Sequence, residues 1–355
     1  MSIKRITALS IILSVFFTNN ISPCILSGVA LPTVSAASAI LVEAVTGQVL
    51  FEKSPDERRP MASTTKIMTT LLTLESGMLD ESITVDPGAI RVEGSSMGLK
   101  EGDIVTKRAL CFGMLLPSGN DAANASAVCV SGSIPAFAAE MNKRAVALGM
   151  TSTNFVTPSG LHEAEHYSTA RDMSLLAQEA MKNADFREIC SKSRAKLLFG
   201  NPPYERWLKN TNKLLDMYEY CNGIKTGFTD EAGRCLVSSA EQNGVTLICV
   251  TLNAPDDWND HIKLFEYGFG QLEPHNVELP EITVPLAGEN DSVLLVPDVP
   301  LSIGLKKQES AEITYRVCVP HFLYKRPPLG SVVGELTYYA GGKKIAVLLL
   351  RAAYE

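Results

Sequence analysis

Three short strings in this chain join residue types that carry out nucleophilic chemistry. The first is Ser63-Thr-Thr-Lys66, within P60-M-A-S-T-T-K-I-M-T-T-L-L-T-L74. Residues three apart on a helix share one face, which brings the hydroxyl and the amine together. Ile67, Met68, Leu71, Leu72 and Leu74 surround the same helix with apolar groups, so it should be buried. Burial disfavours an ammonium and lowers its pKa. An amine tuned in this way accepts the proton of a serine hydroxyl within hydrogen-bond reach, making Ser63 the candidate nucleophile and Lys66 its base. Pro60 suits a helix start, where free N–H groups favour developing negative charge. Taken alone the string has a plainer reading, with Ser63 as an N-cap and Lys66 as an ordinary surface residue.

The second string is Ser118-Gly-Asn120, in M114-L-L-P-S-G-N-D121. Proline and glycine break a helical run there and present Ser118 and Asn120 on a tight loop. Such a loop holds a hydroxyl for proton transfer and an amide to grip a substrate carbonyl. The third is Lys225-Thr-Gly227, in N222-G-I-K-T-G-F-T229, which reads as an edge strand. Alternation sends Lys225 and Thr229 to one side and Thr226 to the other unless the strand twists locally. Gly227 omits a side chain where a substrate backbone could pair closely. The backbone N–H of Phe228, with that of Ser63, could form an oxyanion hole. An inter-helix turn and a surface strand are the plainer readings. Each string alone is weak; all three in this order, on suitable elements, are specific.

A fourth string competes with these. His162-Glu-Ala-Glu-His166 spells H-E-x-x-H, which on a helix holds zinc and a general base. Its context is wrong. T157-P-S-G-L161 just before it is turn chemistry, and YSTARDMSLLAQEAM just after it starts a fresh helix. Ser168 or Thr169 is the N-cap of that helix, with Asp172 in the first turn. No third ligand is marked nearby among the five histidines, so the five letters read as a solvated polar loop and not as a metal site.

These strings need positioning elements. SAILVEAVTGQVLFEKS reads as two strands joined at Thr46-Gly47, and a helical middle runs from about Met61 to Met181. Strands return in GIKTGFT and RCLVSSAEQNGVTLICVTLNA, with a hairpin turn at E241-Q-N-G244. This strand–helices–strands order places both ends of the unit in one sheet, closed by a short helix from about Trp258 to Tyr267. From about His275 the texture changes to alternating apolar residues with regular Pro and Gly, the mark of a small all-β region.

At 355 residues the chain is long enough for two domains. MSIKR followed by ITALSIILSVFF and the small-residue run T33-V-S-A-A-S-A39 reads as an export signal cleaved near Ala36 or Ala37, an uncleaved anchor being the alternative. The expected organisation is a signal at 1–37, a catalytic domain at 38–272 and a β-rich domain at 275–355. The formal net charge is −7, and the signal contains Lys4 and Arg5 and no acid, so the rest is more acidic still. An acidic exported protein is a poor nucleic-acid binder. The eight cysteines show no C-x-x-C spacing, and buried free thiols are the expectation for Cys235 and Cys249, with one disulfide left open.

At the residues quoted above the chain resembles the serine-type D-alanyl-D-alanine carboxypeptidases, the low-molecular-mass penicillin-binding proteins. The likeness covers nearly everything after the signal, including TGQVLFEKSPDERRPMASTTKIMT, GSSMGLKEGD, LLPSGNDAA, GLHEAEHYSTARDM, GIKTGFTDEAGRCLVSSA and GSVVGELTYYAGGKKIAV. It implies an α/β (α+β) fold: an antiparallel sheet flanked by helices, a helical lobe, and a small all-β C-terminal domain. It implies no cofactor and no metal. Ser63 would be acylated, with Lys66 as base. Ser118 would relay the proton to the leaving D-alanine and Asn120 would hold the substrate amide. Lys225 would attract the terminal carboxylate, bonded by Thr226 and Thr229 beside Gly227. The substrates would be peptidoglycan stem peptides ending in D-Ala-D-Ala, and β-lactam antibiotics would trap Ser63.

Three departures stand out against that family. The chain carries no C-terminal amphipathic helix, so membrane attachment is open. The stretch from Pro87 to Gly94 is shorter than the active-site lid of some relatives. N210-T-N212 has threonine where certain relatives place an arginine. A β-lactamase shares the fold and the serine, but no E-x-x-L-N loop is evident here and the C-terminal β region is extra. A wall-binding module without activity would predict no acylation by penicillin.

Overall fold

The structure is a computed structural model that describes residues 30–276, 281–297, 302–306 and 313–353. The apolar N-terminal run read as an export signal, and the first of the eight cysteines, Cys24, lie outside the described residues. Five antiparallel strands form the central sheet, in the order Val49–Lys53, Ser38–Glu43, Val245–Leu252, Gly233–Gln242, Cys221–Thr229. Ser38–Glu43 pairs with Val245–Leu252, so the two ends of the unit meet in one sheet. All six residues of Ser38–Glu43 are buried because both sheet faces are covered. Ile40 and Val42 face the helical lobe, and Ala39 and Leu41 face the opposite core with Leu264 and Phe265, as a two-residue period requires. The turn between Gly233–Gln242 and Val245–Leu252 is Asn243-Gly244, both with positive φ (52° and 80°), which suits a two-residue hairpin.

The lobe is built from helices Lys66–Glu75, Lys107–Leu115, Asn120–Ser131, Ile134–Ala147, Ala170–Ala180 and Ala184–Cys190. Thr106, Ser133, Thr169 and Asn183 each accept a backbone N–H at the start of a helix, satisfying groups the helix itself leaves open. The helical middle expected from Met61 to Met181 is interrupted by a short strand pair, Ser82–Thr84 with Ile104–Thr106, and after it comes an unanticipated hairpin, Arg194–Gly200 with Pro203–Lys209. Buried Arg206 ties that hairpin to the lobe through Asp103 at 2.9 Å.

The closing helix runs Asp257–Gln271, four residues past the expected end. Gly268 and Gly270, both in its last turn, do not end the helix. Gly268 instead marks close packing on the sheet, where an added Cβ would meet Leu247 and Leu41 at 2.7 Å. Val34 and Ala36 are buried, and the Ser35 and Ala36 amides donate to the Asp260 carboxylate of this helix at 2.9–3.0 Å, so residues around the expected cleavage point belong to the folded unit. Beyond it, Leu272–Asn276 pairs with Ser302–Lys306. A second antiparallel sheet follows, in the order Ile282–Pro285, Ser292–Pro297, Lys343–Ala353, Val332–Ala340, Ile313–Cys318, around Val293, Leu295, Leu336, Tyr338 and Leu350. The seven described cysteines are free thiols. Among the described residues no single helix is long and apolar enough to cross a membrane.

Candidate active site

Ser63 lies in a 3-10 turn, Ala62–Thr65, that runs directly into the helix Lys66–Glu75. Three residues per turn eclipse positions i and i+3, so Lys66 stands over Ser63 more squarely than in an α-helix. The Lys66 Nζ to Ser63 Oγ distance is 2.9 Å. Ala62 has φ +47°, a left-handed conformation unfavourable for a residue with a Cβ. Two glycines crowd this turn. A Cβ on Gly160 would come within 2.0 Å of the Ala62 carbonyl oxygen, and one on Gly227 would stand 3.1 Å from Met61 O, Ala62 Cβ and the Ser63 amide. The lack of a side chain at Gly227 therefore serves the packing of the edge strand on the Ser63 turn, a reason the sequence alone does not supply. No backbone acceptor for the Ser63 amide occurs among the described residues.

Lys66 is fully buried, and its Nζ has two further partners, Asn120 Oδ1 at 2.7 Å and the Ser159 carbonyl at 2.6 Å. The Asn120 amide is oriented by its Nδ2, which donates to Glu93 O at 2.7 Å. Burial, and then the nearby Lys225, push the Lys66 pKa well below that of a free lysine, against a smaller opposing effect of Asp121. A neutral amine has two N–H donors and one lone pair. Asn120 Oδ1 and Ser159 O only accept, so they take both donors. The lone pair is left facing the Ser63 hydroxyl.

Ser118 has φ +65° and is 6% exposed, on the loop just before the helix Asn120–Ser131; Asn120 is the first helical residue and not part of the loop. Asp121 organises the segment 96–99, which adjoins Asn120 through the bond from the Asn120 backbone amide to Ser95 O. Its carboxylate accepts the Met97, Gly98 and Leu99 amides at 2.9–3.1 Å and the Ser96 hydroxyl at 2.5 Å. Gly94, at the end of the short 87–94 stretch, sits where a Cβ would lie 2.8 Å from Asn120 Nδ2.

On the edge strand, Lys225 is buried, yet its Nζ curls round to donate to the Thr226 carbonyl at 2.9 Å and approaches Thr226 Oγ1 at 3.4 Å. Alternation alone would have parted these two side chains. Burial lowers the Lys225 pKa to about 7. Thr226 Oγ1 lies 2.7 Å from Thr211 Oγ1, so the position where an arginine was sought holds a neutral hydroxyl. Thr229 Oγ1 accepts the Ala232 amide at 3.1 Å, and Phe228 is 63% exposed. Ser63, Lys66 and Asn120 thus share one hydrogen-bonded centre, and Gly227 packs on the Ser63 turn.

The HEAEH string is corrected in one respect. His162 through Glu165 are exposed, as expected of a polar loop, but His166 is 3% exposed and turned inward. Its Nδ1 accepts the Val156 and Thr157 amides at 2.9 and 3.2 Å, and its Nε2 lies 2.8 Å from Thr65 Oγ1. Both ring nitrogens are occupied by protein groups, which leaves neither to a metal. The sequence reading also passed over Asp121 and the Ser159 and Glu93 carbonyls. Asp121 had a signal, a carboxylate one residue after Asn120 in a helix's first turn. The carbonyls had none.

A family model described as D-alanyl-D-alanine carboxypeptidase (Peptidase S11) matches residues 26–256. The D-alanyl-D-alanine carboxypeptidase DacF of Bacillus subtilis is 35% identical, over 84% of this chain and 81% of the relative. DacC of Escherichia coli, of the same description, is 33% identical over 88% and 82%. Among solved structures, the DD-transpeptidase of Streptomyces K15 superposes with a TM-score of 0.65 at 34% identity, covering 68% of this chain and 100% of that one. Sequence and fold agree: the chain belongs to the D-alanyl-D-alanine carboxypeptidase family of serine peptidases.

Proposed function

We propose that the chain removes the terminal D-alanine from peptidoglycan stem peptides ending in D-Ala-D-Ala, outside the cytoplasm, through an acyl-enzyme on Ser63. The observation that carries this reading is the 2.9 Å contact between Ser63 Oγ and a buried Lys66 whose other two neighbours can only accept. Lys66 takes the Ser63 proton as Oγ attacks the carbonyl carbon of the penultimate D-alanine. The oxyanion forms against the amides of Ser63 and Phe228. The proton then passes by way of Ser118 to the nitrogen of the departing D-alanine as the C–N bond breaks. Asn120 holds the substrate amide, and Lys225, Thr226 and Thr229 hold the terminal carboxylate. Water hydrolyses the ester and restores the Ser63 hydroxyl.

A β-lactam presents a strained amide to the same nucleophile. Its amine remains tethered after ring opening, so it blocks the path of the hydrolytic water and the acyl-enzyme persists. The test compares wild type with Ser63→Ala, using a fluorescent penicillin and D-alanine release from a D-Ala-D-Ala peptide. Wild type should be labelled and active, and Ser63→Ala neither. Labelling of Ser63→Ala refutes the assignment, and release of the drug within seconds would favour a β-lactamase.

A further inference from the structure

His166 belongs to a motif that the proposed chemistry leaves unused, yet it reaches the nucleophile turn. With Nδ1 accepting two backbone amides, the neutral ring carries its proton on Nε2. That N–H must then donate to Thr65 Oγ1, 2.8 Å away. The Thr65 hydroxyl is left to donate its own hydrogen to the Ala62 carbonyl, at 2.8 Å. The chain of bonds ends on the residue with φ +47°, immediately before Ser63. Gly160 clears space for the same carbonyl. The Phe155 ring holds the imidazole edge-on, with centroids 5.9 Å apart, so the ring has little freedom to turn.

We infer that His166 is a positioning residue for acylation: acting through Thr65, it locks the left-handed Ala62 and so fixes the Ser63 hydroxyl and amide against Lys66. This rests on Ser63 being the nucleophile. The alternative is that His166 merely supports the loop through the Val156 and Thr157 amides. Two substitutions separate these roles, because each keeps one ring nitrogen's function. Asparagine places an acceptor near the Nδ1 position and has nothing at Nε2. Glutamine carries an N–H donor to the Nε2 position and loses the Nδ1 acceptor.

The experiment uses the full chain and a fluorescent penicillin, resolving the acylation rate constant from the prior binding constant, with melting temperatures measured alongside. His166→Asn should acylate about 100-fold more slowly with binding unchanged, the scale expected when a reacting group is misplaced by about 1 Å. His166→Gln should stay within about tenfold of wild type, even if it melts lower. Thr65→Val should reproduce the His166→Asn loss, and the double variant should lose no more than either single variant. The inference is overturned if His166→Asn acylates like wild type, or if rates follow melting temperature so that His166→Gln is the slower. It also falls if the losses at Thr65 and His166 simply multiply. Adduct mapping on wild type tells the two readings apart: label on a residue other than Ser63 overturns the nucleophile assignment, whereas label on Ser63 with a fast His166→Asn overturns only the role of His166.

Discussion

Asp121→Asn tests how the segment 96–99 is held beside Asn120. The carboxylate is 2% exposed; one oxygen takes the Ser96 hydroxyl and the Gly98 and Leu99 amides, the other takes the Met97 amide and its neighbour Ala122. An asparagine keeps one oxygen and replaces the other with an NH2 that must face N–H donors. At least two charge-assisted bonds are then lost. At roughly 1.5–3 kcal/mol each, the cost is about 3–6 kcal/mol. For a domain of this size that corresponds to a melting temperature about 10 °C lower. A second effect is electrostatic. Asp121 raises the Lys66 pKa, so removing its charge should shift the acid limb of penicillin acylation to lower pH. Calorimetry and a pH series of acylation rates measure the two effects separately. A variant that melts within 2 °C of wild type, or whose acid limb moves to higher pH, would refute this reasoning.

Two other perturbations have defined outcomes. His166 and His261 are buried neutral, with pKa values lowered chiefly by burial to about 4 and about 3. The unfolded chain binds their protons near pH 6.5, so this stability is complete above that pH and is lost as pH falls towards 4 and then 3. The loss is at most about 3 kcal/mol for His166 and about 5 kcal/mol for His261; denaturant titrations from pH 8 to 3 should show the decline, and a flat profile contradicts it. Gly227→Ala should slow acylation by about tenfold or more, because its Cβ needs a few tenths of an ångström from the Ser63 turn. Steady-state and acylation kinetics check this, and an unchanged rate would mean that the turn yields without consequence.

The sheet, the helical lobe and the β-rich C-terminal region were legible because period and turn chemistry are local properties of the chain. The helix Asp257–Gln271 runs past the expected end at Tyr267, and the close packing of Gly268 on Leu247 and Leu41 across the sheet is a tertiary constraint that local propensity does not carry. The grouping of Ser63, Lys66 and Asn120 was legible because the chemistry proposed for them needs particular side chains at short spacing. What escaped was tertiary. Ser159 and Glu93 contribute backbone carbonyls that any residue could supply. His166 meets Thr65 from 101 positions away, so its local letters suggested only a metal motif or a loop. The Lys225 ammonium reaches the Thr226 face by bending round the strand edge, which strand alternation does not foretell.

The central claim is that the Lys66 amine takes the proton of Ser63, and the rate of penicillin acylation of Lys66→Met, followed by intact mass at neutral pH, tests it most directly. Loss of a positioned base predicts a fall of about 10²–10⁴-fold in protein that still melts cooperatively. A folded Lys66→Met protein that acylates within tenfold of wild type would contradict the claim.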